Sequence, residues 1–158
     1  MFANRLVQLI EDHADKLAEG LLYKLQHDPR CQQFVRKVPV LELKSRTYEI
    51  YRHLGDWLLN KTESEIEERF VGVGIRRAHQ NVPYSDLYWA VVATKDYLWE
   101  YFEREGLFEE PLELLGELNL LHNLERFFDR ALYFAAIGYE KVRKETDAEV
   151  AAAMAVAR

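Results

Sequence analysis

The stretch that follows Pro111 sets the strongest limit on the fold of this chain. No helix breaker interrupts it up to about Arg143, and an alanine-rich tail follows. Between Phe127 and Tyr139 only Asp129 and Arg130 are charged. A helix that is apolar on nearly all sides has to be covered on nearly all sides. The stretch therefore predicts one long C-terminal helix that packs against more than one neighbour.

Small and apolar residues recur in this helix in steps of three and four, as in the a/d seam of a coiled coil. The seam consists of Leu121, Leu124, Phe128, Ala131, Ala135, Gly138 and Val142. One domain covers one face of such a helix, and a second copy of the chain would cover the other. The pattern predicts a homodimer through these seven residues, with the central helix of a monomeric core as the alternative.

The rest of the sequence indicates helices as well. One apolar face recurs every three or four residues up to Asp28-Pro29, and a second helix is predicted after Pro39. The first face comprises Val7, Ile10, Ala14, Leu17, Leu21 and Leu25, and the second comprises Leu43, Tyr48, Tyr51, Leu54 and Leu58. Because the chain contains few of the glycines and prolines that interrupt helices, it is expected to be all-α.

Two further helices are indicated by their ends. Thr62 and Glu65 have the spacing of a capping box, which opens a helix that runs to about Gln80. Gly72 and Gly74 in that helix indicate close packing or a kink. After Pro83, Ser85 is the expected cap of a helix that has Asp86 in its first turn, runs to about Glu105 and stops at Gly106. Glu109 and Glu110 suit the positive end of the last helix.

The length and composition of the chain predict one soluble domain. The chain has 158 residues, of which 49% are apolar and 30% charged, and this suffices for a single core. Residues 1–145 are expected to form the domain, and residues 146–158 a helical tail or linker toward an absent effector. A net charge of −6 argues against nucleic-acid binding. The lack of a signal peptide and of a long apolar span predicts a cytoplasmic protein without membrane contact.

The sequence carries no recognisable catalytic or metal-binding motif. The single cysteine, Cys31, excludes a disulfide framework and a cysteine-rich zinc site. None of the histidines stands in an E-x-x-H or H-E-x-x-H pattern. There is no Ser/His/Asp arrangement, phosphate loop or catalytic carboxylate pair. A non-enzymatic protein is therefore predicted.

The turn after residue 74 is the most distinctive local motif. Arg76, Arg77, Gln80, Asn81 and Pro83 close one helix and lead into the next. Asn tolerates the left-handed backbone conformation that such a turn needs.

Arg77 is a candidate for a buried ion pair with Asp129 of the last helix, with a solvated surface arginine as the alternative. Tyr88, Trp89 and Trp99 are candidates for lining a ligand pocket. The alternative is that they serve as core and interface residues.

Two segments, residues 74–84 and residues 127–140, resemble the N-terminal domain of RsbR/RsbRD-type proteins, the RsbT co-antagonists. That family often has an R-A-x-Q-G-V-P-like turn, which this chain matches from Arg77 to Pro83 with Asn81 in place of glycine. The resemblance covers roughly residues 5–143. It implies a globin-like bundle of about five or six helices that acts as a sensory or regulatory module of stress signalling. Such modules often precede STAS domains or signalling enzymes, so a downstream effector and relay through the last helix are implied.

The same resemblance implies no cofactor. Heme-binding sensor globins place their iron ligand before a comparable turn, and that position falls here on Arg77, which cannot lose its proton to become a ligand. His79 is the least unlikely heme ligand, although it lies two residues later and about 200° around the helix. A heme- or small-ligand-binding globin sensor is the alternative function, and a helical enzyme is the third.

Overall fold

The computed structural model describes residues 3–105 and 111–157, and all regular structure in these residues is helical. The helices are α1 (Ala3–Asp12), α2 (Ala14–Gln26), α3 (Gln32–Lys37), α4 (Val40–Arg52), α5 (Leu54–Leu59), α6 (Glu63–His79), α7 (Tyr84–Arg104) and α8 (Pro111–Val156). A 3₁₀ turn at Pro29–Cys31 joins α2 to α3. The predicted all-α bundle with a long C-terminal helix is confirmed. The described residues form eight α-helices rather than the expected five or six.

Two of the additional helices arise at single-residue breaks that leave the apolar periodicity intact, and α3 forms in the segment between the first two predicted helices. His13 separates α1 from α2, and its Nδ1 lies 2.9 Å from the carbonyl oxygen of Leu9. His53 separates α4 from α5 in the same way. Ile10 and Ala14 are buried on either side of the first break. A pattern of buried positions therefore cannot reveal that the backbone turns there.

The expected helix caps are partly confirmed. Thr62 and Glu65 form the predicted capping box, with the Thr62 amide 2.8 Å from Glu65 Oε2. Ser85 does not cap α7, because Pro83 is the N-cap residue and Ser85 lies inside the helix. Asp86 is in the first turn as expected, but its Oδ2 accepts the backbone N–H groups of Gln33 and Phe34 at the start of α3. Gly106, Glu109 and Glu110 lie outside the described residues.

The side chains that were predicted to face the core do so, with one exception. All six positions of the first face are buried, as are Leu43, Tyr51 and Leu54 of the second, while Leu58 is half-buried. The prediction for Tyr48 is wrong, because this side chain is exposed. Thr47 lies on the same face as Leu43 and Tyr51 and takes the inward position instead.

The core is organised around the contact of α6 with α8. Gly74 of α6 and Gly138 of α8 bring the two backbones together: a Cβ atom on Gly74 would overlap the Ala135 carbonyl oxygen, and one on Gly138 would overlap that of Val71. An aromatic cluster of Trp57, Phe70, Phe127 and Phe128 fills the space next to this crossing. Gly74 thus confirms the expected close packing, whereas a Cβ on Gly72 would make only an ordinary contact with Arg76.

Gly74→Ala is expected to destabilise the domain by about 1–3 kcal/mol, because the added methyl group meets rigid backbone and not a flexible side chain. Gly72→Ala is the matched control on the same helix. It is expected to be neutral or to stabilise by up to about 1 kcal/mol, since alanine is the better helix former. Urea unfolding of the two variants measures both effects, and equal stabilities would contradict the close crossing.

Candidate functional site

A cavity of about 110 Å³ lies inside the bundle, next to the crossing of α6 and α8. Its walls are mostly apolar and come from α2, α3, α4, α6, α7 and α8. They include Leu21, Leu25, Phe34, Leu43, Tyr51, Phe70, Leu87, Ala90, Val91, Phe127, Phe128 and Ala131. Three arginines, Arg46, Arg69 and Arg77, also line the cavity. An apolar space with a few charged groups at one side is the usual form of a small-molecule site.

Four arginines gather where α4 faces α6, and we call Arg46, Arg69, Arg76 and Arg77 the arginine cluster. Their spacing follows from helical periodicity, since residues 69, 76 and 77 fall near one face of α6. Arg77 is 3% exposed, and its Nη1 lies 2.9 Å from Glu42 Oε1. The Arg46 Nε lies 3.3 Å from the same oxygen, and Arg69 contacts Glu49 at 3.4 Å.

The charges of this cluster do not balance locally. Two carboxylates, those of Glu42 and Glu49, pair with four guanidinium groups. Burial opposes the charge of Glu42, but the hydrogen bond and charge of Arg77, together with Arg46, lower its pKa. Burial, and then the positive charges of Arg46, Arg77 and Arg69, lower the pKa of Arg76. The cluster therefore holds an excess of positive charge in a partly desolvated place.

The cluster also contains buried N–H groups that are not satisfied. Within the described residues, the Nε atoms of Arg69, Arg76 and Arg77 and one terminal nitrogen of Arg76 have no hydrogen-bond partner. The Arg76 Nε is 4.0 Å from Glu42, too far for a hydrogen bond. Buried polar groups are nearly always paired, so this concentration of free donors marks the place as unusual.

The predicted partner of Arg77 is wrong. Asp129 is exposed on α8, whereas the partner, Glu42, comes from α4. Arg77 lies on the cavity side of α6. Its guanidinium carbon is 5.7 Å from the centre of the Phe34 ring, so Arg77 lies near α3 as well as near Glu42 of α4. The buried ion pair was correctly anticipated, but it ties α6 to α4 and not to α8. Periodicity identified Arg77 without showing which helix lies opposite.

The turn after α6 is a complete Schellman motif. The Val82 amide donates to the Arg77 carbonyl at 3.1 Å, and the Asn81 amide donates to the Ala78 carbonyl at 3.0 Å. Asn81 has a φ of 57°, which confirms that it takes the left-handed position where the family often has glycine. The Gln80 side chain accepts from Arg77 at 2.8 Å, so the turn and the arginine cluster are directly connected.

This turn is also bonded to the last helix. The Tyr139 hydroxyl donates to the Val82 carbonyl at 2.6 Å in a buried position. The Tyr139 ring packs edge-on against Tyr84, with the ring centroids 5.3 Å apart. The sequence pattern does not predict this contact, because it does not distinguish Tyr139 from the other aromatic residues of α8.

The three aromatic residues predicted to line a pocket do not come together. Tyr88 is exposed, Trp89 donates to Asp28 at 2.8 Å, and Trp99 donates to Glu125 at 2.9 Å. None of them lines the cavity. Trp89 instead helps to hold Asp28, whose pKa falls to about 2 chiefly through its hydrogen bonds with Arg30.

The seven seam residues are all buried within this one chain. Ala135 and Gly138 lie against α6, and Phe128 and Ala131 line the cavity. The seam is therefore an intramolecular contact, and a dimer through α8 stays a prediction that needs another face of the helix. His79 is exposed and does not line the cavity. No group of three or more potential metal ligands occurs in the described part of the chain.

Fold and site together define an all-helical domain with an internal, charge-rimmed cavity beside its long terminal helix. The chain belongs to the family described as the RsbT co-antagonist protein rsbRD N-terminal domain, whose model matches residues 6–154. This membership identifies a stress-signalling regulatory domain and not a known class of enzyme. No curated protein and no solved structure gives a further match. Among the described residues, no helix combines the length and apolar character that crossing a membrane requires.

Replacing Arg77 by Met is expected to lower the free energy of unfolding by about 3 kcal/mol. This is the lower end of the range for breaking a buried pair, because Glu42 is partly exposed and keeps Arg46. A double-mutant cycle of Arg77→Met with Glu42→Leu is expected to show coupling above about 1 kcal/mol.

The matched control for this cycle combines Arg77→Met with Asp129→Leu, which should be additive within about 0.5 kcal/mol. Both cycles are measured by denaturant unfolding. Coupling to Asp129 without coupling to Glu42 would contradict the assignment of the pair.

Proposed function

We propose that this domain is a dimeric sensory input module in which the packing around the cavity sets the position of α8. The last helix then passes this state to a downstream effector domain or signalling partner of the RsbT type. A signal in such a module is a shift between two packings of the same helices. The family membership supports the regulatory role, and the internal contacts suggest the route.

The observation that carries the proposal is the buried bond between Tyr139 and the Val82 carbonyl. Arg77 and Gln80 connect the cavity rim to the Schellman turn, and Tyr139 connects the turn to α8. Any change in the Arg77–Glu42 pair acts on the backbone that ends α6. A single hydrogen bond then joins this backbone to the last helix.

The far end of α8 is suited to an output role. Residues 143–156 remain helical but are exposed, so this part of the helix extends beyond the core. An isolated helix of this length is marginal in water, and its helicity depends on continuity with the packed part of α8. Shifts of the packed part are therefore expected to reach residues 143–157.

A second copy of the chain would fit the outer side of α7 and α8. Tyr88 on α7 and Ile137 on α8 are 45% and 40% exposed, and Val92 on α7 and Leu132 on α8 are half-buried. The side of α8 that faces α6 is already occupied, so a dimer through this helix would use its exposed apolar side chains, of which Ile137 is one. Contact here would place the two last helices next to each other.

The relay is tested by hydrogen exchange of residues 143–157. Glu42→Gln weakens the pair at the cavity rim and is expected to change protection in this segment. The change should be lost in the Tyr139→Phe background, which lacks the hydroxyl, and kept in the matched control Tyr133→Phe, whose side chain is exposed. An identical response in both backgrounds would show that the signal does not pass through Tyr139.

The dimer is tested by light scattering at micromolar concentration. Ile137→Glu is expected to shift the chain from dimer to monomer, because it places an unpaired carboxylate in the proposed interface. Leu41→Glu is the control, since Leu41 is an exposed apolar residue on α4, away from that face. A wild-type chain that is monomeric throughout would refute the dimer.

We also propose that the domain works without heme. The resemblance of the turns aligns Arg77 with the iron ligand of heme-binding sensor globins, and Arg77 pairs with Glu42, while His79 is exposed and does not line the cavity. The purified protein is expected to show no Soret absorption. A Soret band that survives purification and disappears in His79→Ala would overturn this expectation.

A further inference from the structure

The cavity and the arginine cluster have opposite chemical characters and share one boundary. The inner walls are fully buried apolar side chains such as Leu21 and Leu25, whereas Arg46, Arg69 and Arg77 lie at the side between α4 and α6. A ligand that fits both has an apolar body and one anionic end. From this geometry we infer that the site binds a small apolar monocarboxylate, an inference that rests on the proposed sensory function.

The charge of the ligand follows from the arginine cluster. Four guanidinium groups face only Glu42 and Glu49, and several of their buried N–H groups have no partner among the described residues. The cavity itself is lined by Arg46, Arg69 and Arg77, and the buried Nε atoms of Arg69 and Arg77 have no partner among the described residues. One carboxylate in the cavity would supply the missing negative charge and acceptors for these two donors. Arginine is the side chain best suited to this role, since its planar group binds carboxylates through two parallel hydrogen bonds.

The size of the ligand follows from the volume of the cavity. An apolar cavity of about 150 Å³ in another protein holds one benzene molecule, and the cavity here is about 110 Å³. The apolar part therefore has about six carbon atoms or fewer, as in benzoate or hexanoate.

The position of the ligand explains how it would act on the domain. A carboxylate at Arg77 competes with Glu42 for the same guanidinium group, and Gln80 contacts both residues. Binding would therefore loosen the contact of α4 with α6 and alter the turn that Tyr139 holds. Arg77 would thus contact the ligand and also form part of the proposed relay.

Calorimetric titration of the full chain with benzoate and hexanoate tests the inference. Saturable binding is expected for both, and binding at least tenfold weaker for the neutral analogues benzyl alcohol and hexanol. Arg69→Met is expected to weaken benzoate binding at least tenfold, because Arg69 lines the cavity and its contacts with Glu49 are long, at 3.4 Å. Arg52→Met is the matched control and should bind as the wild type, since Arg52 does not line the cavity and pairs with Glu11.

A second variant tests the apolar part without changing charge. Val91→Phe fills the cavity from α7 and is expected to weaken benzoate binding while a thermal unfolding transition confirms that the chain is folded. If this variant fails to fold, the comparison of Arg69→Met with Arg52→Met still decides the anionic part.

Each contrary result refutes a stated part of the inference. Equal binding of benzoate and benzyl alcohol would refute the role of the arginines, and equal binding of inorganic phosphate would refute the apolar part. The absence of any binding at millimolar concentration would refute the site. The relay is judged separately: binding of benzoate that leaves exchange of residues 143–157 unchanged would refute the proposed function and keep the ligand site.

Discussion

The close crossing of α6 and α8 is the constraint on which the rest of the structure depends. Gly74 and Gly138 remove the two Cβ atoms that would hold the backbones apart, and Ala135 completes the contact. Because the helices touch at this point, larger side chains on either side determine what fits next to them. Trp57, Phe70 and Phe127 fill one side, and the cavity occupies the space toward α2, α4 and α7.

The position of the arginine cluster is a consequence of that crossing. One face of α6 is used by α8, and beside this face Arg77 contacts Glu42 of α4 and lines the cavity. Arg77 is buried there, and burial lowers its pKa although the hydrogen bond and the charge of Glu42 act in the opposite direction. A buried ion pair of this kind is weak evidence for stability, but it shows which residue of α4 lies opposite Arg77 of α6.

The connection from the cavity to α8 runs through elements of different rigidity. The Schellman turn is fixed by two backbone hydrogen bonds and by the left-handed Asn81, while the Arg77–Glu42 pair is partly exposed at Glu42 and open to competition. In the proposed relay the ion pair changes and the turn transmits the change to α8, whose last residues are exposed.

The sequence by itself determined the helical class, the long last helix, the capping box at Thr62 and the left-handed role of Asn81. These features depend on neighbours within a few residues or on a periodic apolar pattern, and both can be read along the chain. Only the tertiary structure decided that Arg77 pairs with Glu42 and not with Asp129, that Tyr88, Trp89 and Trp99 diverge, and that Asp86 caps a different helix. Each of these depends on which helix lies opposite, and periodicity specifies a buried face without naming the partner that covers it.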